Sequence, residues 1–365
     1  MKKICFLING KTDYGGVYEL CLSIIKELSK SNDVFLVIQK GGIRDSDFAK
    51  YVKNVFYLDP ISSRNKIARA VKRILHPSLI CNKKEFIHYL SKNQFDGIHI
   101  NAHTCSGFFA KMAHQNNINN IAVHCHGRVN TEHMQKYLRF LVNKNKIYIE
   151  KFSTTKFAGG QDEAKSFFLN TQDVHYLMNP INNNLICEKK NILPSDPIKV
   201  CQVGRYDRNK NQLFSLEVVH QLQKNNFNVL LSFVGYTATK DEMEYLNELK
   251  EYVNVNNLKG VVFLNHDFPK ETLFKENHLV LLPSYTEGAN LVALEAQCSM
   301  TPILCSNHVP RDIDYGLIIF EELNVDDWSS IIVDASRNNL NLKRNNTLLS
   351  YSIENYCAQI ISYYK

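Results

Sequence analysis

Two loops in the second half of this chain carry the residue types that handle phosphorylated groups. The first follows the apolar run IKVCQVG and reads Gly204-Arg205-Tyr206-Asp207-Arg208-Asn209-Lys210-Asn211. Arg205 comes directly after a strand-like run and Lys210 just before a helical one, so both cations can converge on one phosphate. Standing alone, the segment reads equally well as a solvated basic loop. The second, PSYTEGANLVALEA (283–296), follows HLVLL and carries Glu287, Gly288 and Glu295. On a surface helix both acids would be unremarkable. Glu295, however, lies among Leu291, Val292, Ala293, Leu294 and Ala296, which leave almost no polar face. A buried, unpaired carboxylate is costly, so it calls for a partner in the protein or in a ligand. The backbone N–H groups of Ala289, Asn290, Leu291 and Val292 would be free at the start of a helix. Together with Arg205 and Lys210 they suit a diphosphate, and carboxylates beside it would accept from sugar hydroxyls.

The elements that would position these loops repeat one rhythm. KICFLIN, DVFLVI, NVFYL, GIHINA and NIAVHCH read as strands, separated by helical runs such as VYELCLSIIKELSK, KKEFIHYLSKN and SGFFAKMAHQN. After residue 197 the rhythm restarts with IKVCQVG, NVLLSFVG, GVVFL, HLVLLPS and TPILCS, with helical runs between them. Such alternation predicts parallel sheets with crossover helices, here as two Rossmann-like domains. In open parallel sheets ligands bind at the carboxyl ends of strands, where both loops fall. The polar stretch 179–197 reads as the linker, and the tail LSYSIENYCAQIISYYK as a closing helix.

The bulk numbers agree with this organisation. A chain of 365 residues suits two domains, and 44% hydrophobic with 22% charged residues is ordinary for a globular protein. No run of about 18 apolar residues offers a membrane span. The start, MKKICFLING, is interrupted by Asn9, Lys11 and Asp13 too early for a signal peptide and reads as a first strand. The ten cysteines form no C-x-x-C pair, so a cytoplasmic chain with free thiols is expected. The net charge of +7 is uneven: residues 1–190 hold 28 Lys and Arg against 15 Asp and Glu, and the remainder 15 against 21. A basic half is compatible with nucleic acid, an anionic membrane face or phosphorylated substrates, and charge alone does not choose.

VGRYDRNKN and PSYTEGANLVALEAQ together resemble the two hallmark motifs of the family-four retaining glycosyltransferases with the GT-B fold. Those motifs are G-R-x-x-x-x-K and a glutamate pair with seven residues between. The resemblance implies an α/β, GT-B architecture in which two Rossmann-like domains turn their parallel sheets toward a central cleft. It places an acceptor domain at 1–183, a nucleotide-sugar domain at 184–344, and a tail helix at 345–365 that crosses back to the first. It implies that Arg205 and Lys210 bind the donor diphosphate, Glu287 the donor sugar and Glu295 the ribose. It adds Gly288, Ala289, Asn290, Leu291 and Val292 as the donor-binding turn. DYGGVYELCLSIIKEL resembles the family's glycine-rich loop, so Gly15 and Gly16 would approach the phosphates. DGIHINAHTCSGFFAKMA and NIAVHCHGRVN resemble the bacterial capsule, O-antigen and exopolysaccharide branch. There a histidine at the strand's end sits beside the donor sugar; His126 is the candidate and His124 its competitor. Departures are Met300 where a glycine is usual, Asn179-Pro180 where N-G is usual, and Glu19 one place late.

The expected reaction is transfer of a hexose from a nucleoside-diphosphate sugar, UDP favoured over GDP, with retention. The acceptor would be a growing, lipid-linked surface glycan. No cofactor and no metal is expected, because fixed cations stabilise the leaving diphosphate. A non-hydrolysing nucleotide-sugar epimerase and a silent nucleotide-sugar-binding scaffold are the alternatives. Acceptor dependence separates the transferase from the first, and donor turnover from the second. The basic run ISSRNKIARAVKRILHP (61–77) is either a packed helix with a solvated side or an attachment to the anionic cytoplasmic face of the inner membrane. No aromatic-interleaved basic platform points to nucleic acid. His99, His103, His124 and His126 are read as hydrogen-bonded or substrate-facing rather than metal ligands. Asp45-Ser46-Asp47 and Asp312-Ile313-Asp314 are read as turns rather than D-x-D metal motifs.

Overall fold

The computed structural model describes residues 1–10, 16–59, 82–127, 129, 136–181, 183–187, 197–287 and 290–364. Gly15, Gly288, Ala289 and the basic run at 61–77 lie outside them. The chain forms two units: Met1–Pro180 with Ile353–Lys365, and Ile181–Ser352.

The first unit opens with β1 (Lys3–Ile8), α1 (Gly16–Leu28), β2 (Asp33–Gln39), α2 (Asp45–Ala49) and β3 (Asn54–Leu58). It continues with α3 (Lys83–Asn93), β4 (Gly97–Asn101), α4 (Ser106–Gln115) and β5 (Asn120–Cys125). Then follow α5 (Lys136–Phe152), β6 (Thr155–Ala158), α6 (Gln161–Phe167) and β7 (Val174–Tyr176). The strands make one parallel sheet in the order β3-β2-β1-β4-β5-β6-β7. Helices cover both faces, which is why the strands are nearly continuous apolar runs. Side chains of β1 alternate between two cores: Ile4, Phe6 and Ile8 pack with Leu20, Ile24 and Ile25 of α1, while Cys5 and Leu7 pack with Phe86 and Phe109.

The second unit runs β8 (Ile198–Val203), α7 (Gln212–Lys224), β9 (Val229–Gly235), α8 (Lys240–Val255), β10 (Val261–Asn265) and α9 (Lys270–Glu276). It ends with β11 (Leu279–Leu282), α10 (Leu291–Cys298), β12 (Ile303–Ser306), β13 (Ile318–Glu321) and α11 (Val325–Ser336). Its parallel sheet has the order β10-β9-β8-β11-β12-β13. The tail helix α12 (Ile353–Ser362) belongs to the first unit, where Tyr356, Cys357 and Ile360 are buried in the core shared with α1.

Each sheet changes direction once. In the first unit successive strands run outward from β1 to β3, then resume on the other side of β1 with β4. In the second the reversal falls between β8 and β11. The loops leaving two such strands diverge to opposite faces and open a crevice, the place where doubly wound sheets bind ligands.

Three strands, β6, β7 and β13, escaped the periodicity reading. β6 is only TKFA, and its Lys156 is buried because Glu150 and Asp173 hold the ammonium at 2.8 and 2.6 Å. Asp45 and Asp47, read as a turn, start helix α2; Asp47 pairs with Arg44 and Lys50. Asp312 lies in a short 3-10 turn, and Asp314 accepts from the N–H of Gly316 at 2.7 Å. Met300, standing where a glycine was expected, has φ of 56°, the left-handed region that favours glycine.

Candidate donor site

The loop after β8 is shaped by buried amides. Gln202, on β8, donates from Nε2 to the Lys210 carbonyl at 2.7 Å and accepts from Ser215 Oγ at 2.8 Å. Gln212, at the start of α7, donates to the Arg205 carbonyl at 2.8 Å. Asp207 caps the 3-10 turn Arg208–Lys210: one carboxylate oxygen accepts from the Lys210 N–H and the other from Arg205 Nε, both at 3.0 Å. At Gly235, which ends β9, a Cβ would lie 2.2 Å from the Gly204 carbonyl oxygen, so only glycine lets β9 close on the strand end bearing Arg205.

The loop after β11 is laced to this one through Asn209. Its amide donates to the Thr286 carbonyl, its Oδ1 accepts from the Thr286 hydroxyl, both at 2.8 Å, and its carbonyl accepts from the Tyr285 N–H at 2.9 Å. The crevice between β8 and β11 is thus bordered by two loops tied together at fixed register. In it Lys210 Nζ meets Glu287 Oε1 at 2.5 Å, with the Glu287 side chain only 8% exposed. Arg205 Nε reaches Asp207 and, at 3.4 Å, Glu242 of α8. Glu242 also completes the capping box of α8 with Thr239. Arg208, third cation of the loop, turns instead onto Glu248 and the Tyr245 ring.

Asn290 caps α10, its Oδ1 accepting from the Ala293 N–H at 3.1 Å. The N–H groups of Leu291 and Val292 have no acceptor within the helix, and α10 directs them outward at its N-terminus. Glu295 has the partner its apolar surroundings demanded: Lys270, the first residue of α9, binds its two oxygens at 2.9 and 2.7 Å. The hydroxyls of Tyr206 and Ser284 and Oε1 of Gln212 are buried with no hydrogen-bond partner among the described residues. Unmade hydrogen bonds at buried positions are costly, so water or a ligand is the expected partner of these three atoms.

Sequence reading missed Asp207, Asn209, Glu242 and Lys270. Asp207 carried a signal, a cap residue three places before Lys210. Lys270 carried none, because it lies 25 residues from Glu295 on another helix.

In the first unit the corresponding crevice lies between β1 and β4. Asn9 follows β1, accepts from Gln39 Nε2 at 3.1 Å, and donates its N–H to the Asn101 carbonyl. Gly16 begins α1, and Glu19 pairs with Arg44. His126, just past β5, is partly exposed; its Nε2 contacts Asn101 Oδ1 at 2.6 Å, while the Asn101 amide donates to the Leu7 carbonyl. An amide oxygen only accepts, so His126 carries its proton on Nε2. Burial, with His103 adding, pushes its pKa down to about 4, which leaves Nδ1 unprotonated at neutral pH.

His124 stacks on His126 at 4.1 Å but is buried. It is the middle of a closed chain: Tyr364 hydroxyl to His99 Nδ1 at 3.0 Å, His99 Nε2 to His124 Nδ1 at 3.1 Å, His124 Nε2 to the Tyr356 hydroxyl at 3.3 Å. Of the two competing histidines, His126 is therefore the less buried. Among the described residues no group of three or more His, Cys, Asp or Glu could hold a metal ion.

Two doubly wound parallel sheets are the fold of the GT-B glycosyltransferases, and the second sheet carries paired cations and acids at its reversal point. Residues 186–340 match the family described as "Glycosyl transferases group 1", and the chain is a glycosyltransferase carrying that domain in its second unit. Over 360 residues it is 22% identical to EpsF of Bacillus subtilis (strain 168), a glycosyltransferase by name, covering 92% of this chain and 88% of that one. It is 26% identical over 235 residues to the capsular polysaccharide biosynthesis glycosyltransferase CapH of Staphylococcus aureus, covering 61% and 62% of the two chains. Among solved structures it superposes on Anabaena HepE in complex with UDP and glucose with a TM-score of 0.75, at 16% identity over 99% of both chains.

Proposed function

We propose that this protein transfers a hexose, with retention of configuration, from a UDP-sugar to a growing, lipid-linked surface glycan. The observation that carries the reading is the Lys210–Glu287 pair in the crevice between β8 and β11, a cation and a sugar-binding acid on loops tied by Asn209. Arg205, Lys210 and the N–H groups of Leu291 and Val292 stabilise the diphosphate as it leaves, where most new charge develops. Glu287 accepts from donor-sugar hydroxyls while the bond breaks toward an oxocarbenium-like state. Glu295 accepts from the ribose. The neutral His126 ring keeps the role the resemblance implies, beside the donor sugar. Gly15, Gly16, Gly288, Ala289 and Asn290 complete the donor-binding set. Support for UDP comes from the UDP and UDP-glucose complexes of HepE, and for a polysaccharide product from the name of CapH. With fixed cations in place, turnover is expected to persist in EDTA.

The test is thermal-shift titration with UDP, GDP, ADP and dTDP on wild type and Arg205→Ala. UDP at a hundred times its Kd should stabilise the fold by roughly 2.7 kcal/mol, and the variant should lose that shift. No shift with any nucleotide would overturn the donor reading. Acceptor-dependent release of UDP from the sugar donor then separates a transferase from an epimerase or a silent binder.

Membrane attachment on the cytoplasmic side extends the same reading, and α5 supports it. Phe140 and Ile147, two turns apart, are 64% and 53% exposed on a helix face that also bears Lys136, Arg139 and Lys151. Apolar residues between cations suit an anionic lipid surface, where each Lys or Arg contributes roughly 1 kcal/mol. Among the described residues no helix is long and apolar enough to cross a membrane. Co-flotation with phosphatidylglycerol vesicles but not with phosphatidylcholine vesicles, weakened by Phe140→Ser, is the expected result.

A further inference from the structure

The cations of the candidate donor site are already taken. Lys210 is held by Glu287, Arg205 by Asp207 and Glu242, and Lys270 by Glu295. An incoming diphosphate therefore meets neutralised cations, and acids stand where it must go. The pairs differ in how readily they admit a second anion. Arg205 spends only Nε on its acids, so its terminal nitrogens can add a phosphate while Asp207 stays in place. Lys270 is closed on both oxygens of its carboxylate. Lys210 is a point charge in a single short contact with one oxygen of Glu287, and its side chain is 21% exposed. Adding phosphate to that ammonium would press two anions side by side around one cation, in a partly desolvated crevice where their repulsion is weakly screened.

We propose that the donor diphosphate displaces Glu287 from Lys210, so that nucleotide binding is itself the event that frees the Glu287 carboxylate for the donor sugar. The proposal rests on the donor reading above. Glu287 then has two successive partners: the ammonium while the site is empty, the sugar hydroxyls once the phosphates have taken Lys210. The sugar subsite is assembled only when a diphosphate is present, so a free monosaccharide finds its acceptor occupied. Glu287 opposes binding of the nucleotide alone while being required for transfer, and the two effects have opposite signs.

That sign difference is measurable by calorimetric titration of UDP into wild type, Glu287→Gln, Lys210→Met and the double variant, each first checked for an unchanged melting profile. Glu287→Gln should bind UDP roughly fivefold more tightly, the scale of a partly exposed ion pair, while losing sugar transfer. In the Lys210→Met background the same substitution should change UDP affinity by less than about twofold, because the exchange has no cation to act through. An equal gain in both backgrounds would show that Glu287 merely repels the phosphates through space, which overturns the exchange. So would Glu287→Gln binding UDP like wild type. Failure of wild type to bind any nucleotide, with Arg205→Ala indistinguishable from it, would fell the donor reading instead. Should Glu287→Gln melt early, Glu287→Ala in the same cycle supplies the comparison.

Discussion

Lys270 and Glu295 close on each other across two helices, one ammonium within 2.9 and 2.7 Å of both carboxylate oxygens, with side chains 34% and 13% exposed. The pair explains how α10 tolerates an acid on an otherwise apolar helix, and it has a measurable consequence. Lys270→Met should lower stability by about 1 kcal/mol, since it strands a largely buried carboxylate whose ion pair is partly screened. Lys270→Arg should restore most of the loss. Urea unfolding of the two variants checks both.

Asp207 does two jobs that substitution can separate. Asp207→Ala removes the cap of the turn Arg208–Lys210 and should cost about 1 kcal/mol, as lost caps do. Asp207→Asn keeps an oxygen for the Lys210 N–H but gives up the charge facing Arg205, so its stability should stay within about 0.5 kcal/mol of wild type. Its affinity for UDP should rise, because the arginine is then less neutralised. Thermal melts and UDP titration distinguish the two effects.

Acid should destabilise the first unit in a defined window. Burial holds His99 down to about 3 and, with His103 adding, His126 to about 4; burial also holds His124 well below its ordinary value. These rings are neutral in the fold and bind protons more readily when unfolded, where their pKa is about 6.5. Stability is therefore full above about pH 6.5 and declines as the pH drops toward 4, by up to about 1.4 kcal/mol per unit for each histidine. Denaturation of wild type and His126→Asn at pH 7.5 and 5.0 should show a shallower decline in the variant. An identical slope would contradict the assignment for His126.

Met300 holds a left-handed backbone at φ of 56° just before β12. The strain costs a non-glycine residue roughly 1–2 kcal/mol, and a glycine there would give back about 0.5–1 kcal/mol through the entropy of the unfolded chain. Met300→Gly is expected to raise stability by about 0.5 kcal/mol net, read as a higher melting temperature.

How much of this was legible beforehand follows from the range of each signal. Strand–helix alternation is local and period-based, so most of the strands, the two-sheet architecture and the loops bearing Arg205, Lys210 and Glu287 were readable directly. β6 was not, since a buried lysine neutralised by Glu150 and Asp173 looks like a surface residue until those acids are in place. α5 was not, because lysines scattered around Leu141, Val142 and Ile149 blur its periodicity.

The sequence by itself determined which residues carry charge, that Glu295 needed a partner, and that the loops after IKVCQVG and HLVLL end neighbouring kinds of element. Only the tertiary structure decided that β8 and β11 lie side by side at the point where the sheet reverses, that the partner is Lys270, and that Lys210 and Glu287 meet. It also decided that His124 belongs to a buried Tyr–His–His–Tyr chain while His126 turns its Nε2 to Asn101. The physical reason is distance along the chain. Periodicity and caps act over a few residues, whereas an ion pair spanning 77 positions or a hydrogen bond spanning 265 exists only once a sheet order has been chosen.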